Sequence, residues 1–256
     1  MKNCQEWSLA FDQLYNNVTS NKAPGLSEYE KSVFLTDAQD NVVIGLYNGT
    51  YGKAFESTED VSNYLATLVR QVECERFSDE MKKMCSDSVV YGLPSGSPES
   101  PTPEILFRTF EWCMVDSACK KDSQGHPVQE QIVVVPITQD EYWRTVRNPF
   151  KRQNDNRVLR LTYSLVDNAT GSGDLDVEKY SELISSKTIN KYFIRYITRP
   201  EPIILEDLGE DPEPGETYEG LTIRGEYKAK TCTLDDAIHQ LILNEAVRMA
   251  KAAWQS

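Results

Sequence analysis

The chain has 256 residues, of which 39% are apolar and 26% charged, and it carries 40 acidic against 27 basic side chains. A net charge of −13 argues against nucleic-acid binding as the main task, because the phosphates of a nucleic acid would on average be repelled. The length is sufficient for a buried core without disulfides or metals, so we interpret the six cysteines, at 4, 74, 85, 113, 119 and 232, as free thiols.

The first residues run directly into an amphipathic pattern and lack the features of a secretory signal. No stretch has the roughly 18 consecutive apolar residues of a membrane span. We therefore expect synthesis and folding in a cytoplasm and no membrane partner.

The N-terminal part of the chain predicts three helices. Apolar residues at three-to-four spacing predict a helix over about residues 3–20. Ser27 and Glu30 form a capping-box pattern for a second helix, and Gly49 provides its end. Ser57 and Asp60 open a predicted third helix, whose apolar face consists of Val61, Tyr64, Leu65, Leu68 and Val72.

The middle of the chain predicts strands, because runs rich in β-branched and aromatic residues follow a Ser/Pro-rich loop at 94–103. Two short helices are predicted between them, at Gln139–Arg147 and at Asp174–Ser185. The predicted strands are Ile105–Met114, Gln131–Pro136, Arg157–Leu165, Lys191–Ile197 and Ile203–Leu205.

The C-terminal part predicts an amphipathic helix of about 20 residues, capped by Thr233 and Asp236. The predicted fold class is α+β: a helical bundle formed by the N- and C-terminal segments, with an inserted antiparallel β-rich domain. The predicted domains are an N-terminal helical platform at 1–80, the inserted β-rich domain at 86–230, and a C-terminal helix at 231–256 that returns to the platform.

Motifs for catalysis or for cofactor and metal binding are missing from the sequence. Nucleophilic catalysis of the Ser-His-Asp or Cys-His kind needs a histidine, and the only two are His126 in a turn-like tetrapeptide and His239 at the edge of the last helix. The glycines at 45, 49 and 52 before Lys53 lack phosphate-loop spacing, and Ala54 cannot bind magnesium. The 167–178 segment lacks ligands and the central glycine of a calcium loop.

Two segments of opposite charge stand out. The acidic segment, residues 201–220, has eight acids and no base, and the basic segment, residues 144–160, has six bases against Asp155. Each could be a solvated surface, or the basic segment could contact an acidic partner. The acids are Glu201, Glu206, Asp207, Glu210, Asp211, Glu213, Glu216 and Glu219, and the bases are Arg144, Arg147, Lys151, Arg152, Arg157 and Arg160.

Three stretches together resemble the connector and ring proteins of crAss-like short-tailed bacteriophages. The first is Ala23-Pro24-Gly25-Leu26-Ser27-Glu28-Tyr29-Glu30-Lys31-Ser32-Val33-Phe34-Leu35, which continues to Gln39. The second is Tyr196-Ile197-Thr198-Arg199-Pro200-Glu201-Pro202-Ile203-Ile204-Leu205. The third is Cys232-Thr233-Leu234-Asp235-Asp236-Ala237-Ile238-His239, which leads into 242–247.

The resemblance implies a non-enzymatic structural virion protein at the head-to-tail junction. About twelve copies would surround the portal axis, contact the portal protein and neighbouring ring or tail proteins, and form part of a channel through which genomic DNA passes without sequence-specific binding. Because such rings use two different faces of each subunit, we hypothesise that the acidic segment of one copy meets the basic segment of the next.

Two alternatives remain open from the sequence. The chain could be another tail component with similar helical ends, such as a tail-hub or cargo protein. A metal-dependent hydrolase or nuclease with a diffuse carboxylate site is disfavoured by the scarcity of histidine.

Overall fold

The computed structural model describes residues 3–16, 25–52, 59–77, 83, 85, 88–94, 104–121, 123–166, 177–209 and 220–255. The chain divides into two compact units, Met1–Leu68 with Arg199–Ser256 and Val69–Thr198. The predicted domain boundaries at 1–80, 86–230 and 231–256 stay a prediction. The helices are α1 (Cys4–Asn16), α2 (Glu28–Asn48), α3 (Glu59–Tyr64), α4 (Gln139–Arg147) and α5 (His239–Gln255), and the strands are β1 (Val69–Cys74), β2 (Ser88–Gly92), β3 (Ile105–Lys121), β4 (Pro127–Pro136), β5 (Val158–Val166), β6 (Val177–Ile184) and β7 (Ile189–Thr198).

Helix α2 of the first unit begins and ends at the predicted residues. The Ser27 side chain accepts a hydrogen bond from the Glu30 amide, and the Glu30 carboxylate accepts one from the Ser27 amide in return. Gly49 ends the helix with a φ of 78°, a left-handed conformation that favours glycine. The capping box and the C-terminal glycine are thus confirmed.

A buried polar stripe on α2 holds an extended segment of the same unit. Ser32, Thr36 and Gln39 lie on one helical face and are each at most 1% exposed. The Ser32 hydroxyl accepts from the Leu205 amide at 3.0 Å, Thr36 Oγ1 accepts from the Ile203 amide at 3.1 Å, and Gln39 donates to the Glu201 carbonyl at 2.7 Å. These bonds pair backbone groups of a segment that lies outside the seven strands.

The second unit is built on one curled, mixed sheet of seven strands in the order β1-β7-β3-β4-β5-β6-β2. Most neighbours are antiparallel, but β4 and β5 run parallel over the pairs Val134↔Val158 to Pro136↔Arg160. The chain makes this parallel connection through α4, as the geometry of a crossover requires.

The residues that follow β1 pair with β2 at the other end of the strand order. The Phe77 amide donates to the Val90 carbonyl at 2.9 Å, and the Gly92 amide donates to the Glu75 carbonyl at 3.0 Å. These bonds satisfy backbone groups that an open sheet edge would leave unpaired.

The predicted fold class is wrong. The described residues form mainly a curled mixed sheet with few helices, not a helical bundle with an inserted antiparallel domain. The third predicted helix stops at Tyr64, and Val72 lies in β1, whose partner β7 is far away in the sequence. Short apolar runs fit either a helix or a strand. The pairing of β1 with the distant β7 determines that this run is a strand.

Other elements differ locally from their predictions. Strand β6 replaces the helix predicted at Asp174–Ser185, over Val177–Ile184. Ile204 forms only an isolated bridge with Lys230, so the predicted short strand at Ile203–Leu205 is absent. Asp235 caps a short 3-10 turn, Asp236–Ile238, directly before α5. Residues 17–20, 53–58 and 167–176, on which parts of three predictions fall, lie outside the described residues.

Candidate subunit interface

The basic segment begins on α4, which packs on the outer side of β5. Thr138 caps the helix by accepting from the Glu141 amide at 3.3 Å. Tyr142 and Val146 face a small core that contains the buried Leu159 and Leu161 of β5. The opposite helical face is left exposed to solvent.

Four bases of the segment are exposed on α4 and on the turn after it: Arg144, Arg147, Lys151 and Arg152. Arg144 forms an ion pair with Glu141 at 3.2 Å, one helical turn away, and the two side chains are 80% and 51% exposed. The Arg147 guanidinium lies 5.8 Å from the centre of the Trp143 ring, within the range of a cation–π contact. The structure therefore brings these four cations to one surface region of the second unit.

Arg157 lies in the same region, but its hydrogen bonds stabilise the turn after α4. Its guanidinium donates to the Phe150 carbonyl at 3.0 Å, and its backbone exchanges two hydrogen bonds of 3.1 Å with Asn154. The side chain is only partly exposed. Arg157 is thus a fixed cation at the base of the turn, with less freedom to contact another molecule.

Arg160 points away from the exposed cations, toward the opposite side of the sheet. Its Nε lies 2.8 Å from Glu111 Oε2, and the two side chains are 11% and 6% exposed. Arg108 approaches the other Glu111 oxygen at 3.4 Å, so one buried carboxylate faces two guanidinium groups. Burial lowers the pKa of Arg160, Arg108 adds to that effect, and Glu111 opposes it. Arg160 is therefore an internal ion-pair residue and not a surface cation.

The described part of the acidic segment lies in the first unit. Glu206 and Asp207 are exposed, and an Asp207 oxygen accepts from the Ala229 amide at 2.6 Å. Glu201 lies 3.8 Å from Lys230. Glu210, Asp211, Glu213 and Glu216 fall outside the described residues. The pairing of acidic and basic segments between copies stays a prediction.

Two exposed aromatic residues beside the bases were not predicted from the sequence. Trp143 is 66% exposed and Phe150 is 86% exposed. Trp143 follows Tyr142 on α4, and a helical wheel built on the partly buried Tyr142 and Val146 would have placed it on the outer face. For Phe150 no such periodic pattern exists, since it lies in an irregular turn.

The two histidines and the described cysteines differ in how deeply they are buried. His126 is exposed near the turn between β3 and β4, while His239 is buried against Trp7, with ring centroids 5.0 Å apart. Burial raises the pKa of Cys74 and of Cys113 to about 12. Cys4, Cys74, Cys85, Cys113 and Cys232 are free thiols.

In the part of the chain that the structure describes, no group of three metal-binding side chains occurs. No helix within the same residues is long and apolar enough for a membrane span.

A mixed sheet that carries exposed cations and exposed aromatic rings on one connection presents a surface suited to contact with another protein. Comparison with known proteins is specific: the profile of the family described as phage tail ring protein 3/4 matches residues 1–256. The chain belongs to this family and is a ring protein, a structural component of a crAss-like phage virion. The resemblance found in the sequence is thereby confirmed.

Two relatives come from Bacteroides phage crAss001. The chain is 34% identical to "Ring protein 3" over 250 residues, which cover 96% of this chain and 94% of the relative. It is 32% identical to "Ring protein 4/5" over 257 residues, which cover 99% of this chain and 94% of the relative. Both similarities extend over nearly the whole length, so they include both units.

Proposed function

We propose that this protein forms a ring in the head-to-tail connector of a short-tailed phage, next to the portal, with about twelve copies around the axis through which DNA passes. The observation that carries the proposal is the family match over residues 1–256, together with two full-length relatives named as ring proteins. In this role the protein has no catalytic activity and no cofactor.

Charge distribution supports a head-to-tail contact between copies. Rings arise when two different faces of one subunit match, so a cationic face and an anionic face on the same chain suit this geometry. Arg144, Arg147, Lys151 and Arg152 supply the exposed cations, and the acidic segment supplies the anions. Such complementarity mainly guides encounter and register and contributes less to affinity.

Net charge supports passage of DNA through the ring. With −13 per copy, a ring repels phosphates on average and does not form the counterion-releasing contacts that would hold DNA in place. Retention of duplex DNA by the isolated protein at physiological salt would contradict this part of the proposal.

Electron microscopy of the purified protein, alone and with the portal protein of the same genome, tests the ring. A ring stacked on the portal with about twelve-fold symmetry is expected. Monomers in both samples would contradict the connector role and favour another tail role, such as a hub or cargo protein.

Charge reversal tests the contact between copies. The triple variant Arg144→Glu, Arg147→Glu and Arg152→Glu is expected to block ring growth. Its matched control reverses three exposed bases on β1 and β7, namely Arg70, Lys191 and Arg195. Equal assembly by the two triple variants would contradict the pairing. A mixture of the first variant with one carrying Glu206→Lys, Glu210→Lys and Asp211→Lys should restore contacts between unlike copies.

A further inference from the structure

The α4 helix and the turn after it present an aromatic pair that the fold of the unit does not use. We call α4 together with residues 148–157 the aromatic knob. Its inner side, Tyr142 and Val146, packs on the sheet, whereas Trp143 and Phe150 are 66% and 86% exposed. A large exposed ring is unfavourable in water, so two of them on one connection indicate a surface that is covered when the protein works.

The knob holds Phe150 in an ordered turn. The Phe150 amide donates to Asn148 Oδ1 at 2.9 Å, and the Phe150 carbonyl accepts from Arg157 at 3.0 Å. The Asn156 amide donates to Asn154 Oδ1 at 2.9 Å in the same turn. A ring on a fixed backbone loses little conformational entropy when it is bound, which suits an anchor residue.

The composition of the knob matches that of strongly binding interface centres. Such centres are enriched in Trp, Tyr and Arg, and here the Arg147 guanidinium already lies over the Trp143 ring. Lys151 and Arg152 are exposed next to Phe150 in the chain. The knob therefore combines two exposed rings with the exposed cations Arg144, Arg147, Lys151 and Arg152, which we call its cationic rim.

The positive charge of the rim indicates which kind of molecule binds the knob. A partner must be anionic, and the acidic segment of a second copy has eight acids and no base. Nucleic acid would also suit cations and aromatic rings, so its binding is one of the outcomes that the test below separates. The acidic segment of a second copy and the cationic rim of the knob carry opposite charges.

We propose that Trp143 and Phe150 are the anchor residues by which one copy of this protein binds the acidic segment of the next. This inference rests on the proposed ring function and adds to it the source of the affinity. The cationic rim guides the approach, and the two rings slow dissociation.

The test compares self-association of the full chain by sedimentation velocity over a concentration series, with and without the portal protein. Trp143→Ser with Phe150→Ser is expected to weaken association by about 100-fold or more, the combined loss of two anchor residues. Phe110→Ser with Val133→Ser, two exposed apolar residues elsewhere on the same unit, should change it less than about threefold. The conservative pair Trp143→Phe with Phe150→Tyr should retain most of the affinity.

Each outcome bears on the two proposals separately. If the serine pair assembles normally while the charge-reversed triple variant does not, the anchors are refuted and the ring contact stands. If both variants assemble normally, the knob is not the contact. Wild-type protein that stays monomeric with and without the portal contradicts both proposals. Binding of a short duplex DNA that is lost in the serine pair would assign the knob to nucleic acid and refute the anchors. Unchanged unfolding midpoints establish that the variants are folded.

Discussion

Replacing Glu111 with leucine should be among the most destabilising changes in the second unit. The carboxylate is 6% exposed and faces Arg160 at 2.8 Å and Arg108 at 3.4 Å. Its removal leaves two largely buried guanidinium groups, 11% and 17% exposed, without their common counter-charge. Removal of one member of a buried ion pair typically costs about 3–5 kcal/mol, and we expect Glu111→Leu to fall in this range.

Removing Arg160 should be less harmful than removing Glu111. The Arg160→Leu variant keeps Glu111 beside Arg108, so the loss should be about 2 kcal/mol. Arg144→Leu is the control, because the exposed Glu141–Arg144 pair should contribute no more than about 0.5 kcal/mol.

Urea unfolding of the full chain, followed by far-UV circular dichroism, measures all three free energies of unfolding. The reasoning is refuted if Glu111→Leu loses less than about 1 kcal/mol, or if Arg160→Leu is the more destabilised of the two.

Three further predictions concern the first unit and the thiols. Thr36→Val removes the hydroxyl that accepts from the Ile203 amide at 3.1 Å, so the free energy of unfolding in urea should fall by about 1–3 kcal/mol; an unchanged value would show that the amide finds another partner. Burial alone would lower the pKa of Lys31, but its bonds to two carboxylates raise it overall. Lys31→Met should therefore be less stable than wild type at neutral pH, and the difference should shrink above about pH 10 as the lysine of the wild type loses its proton; a constant difference would contradict the ion pairs. Because burial raises the pKa of Cys74 to about 12, alkylation of the native protein at pH 8 should reach the partly exposed Cys4 before Cys74, as site-resolved mass spectrometry can measure; equal rates at these two thiols would contradict the burial.

Local signals in the sequence predicted local structure well. The ends of α2 follow from Ser27, Glu30 and Gly49, because a helix cap involves only residues a few positions apart. Strand β1 could not be found in this way. Its ladder with β7 begins at Val69↔Ile197, and the apolar residues of the segment fit helical and strand spacing equally well.

The candidate interface was predictable in part. The excess of basic residues identified the basic segment, but it did not distinguish the largely buried Arg160 from the exposed bases. Alternation along a strand separates them, since Leu159 and Leu161 face α4 and Arg160 between them must face the other way. The exposure of Phe150 depends on a turn built by Asn148, Asn154 and Arg157, and a single sequence does not reveal such a turn.

The position of the aromatic knob within the sheet has a consequence for how ring proteins can diverge. The knob leaves the sheet after β4 and returns in β5, and these two strands are bonded neighbours from Val134↔Val158 onward. Both ends of the insertion are therefore fixed, and its interior can change while the strands keep their register. A phage that carries several related rings could give each its own partner by altering this one insertion. Chimeras that exchange residues 138–157 between family members should fold as the recipient and assemble with the partner of the donor.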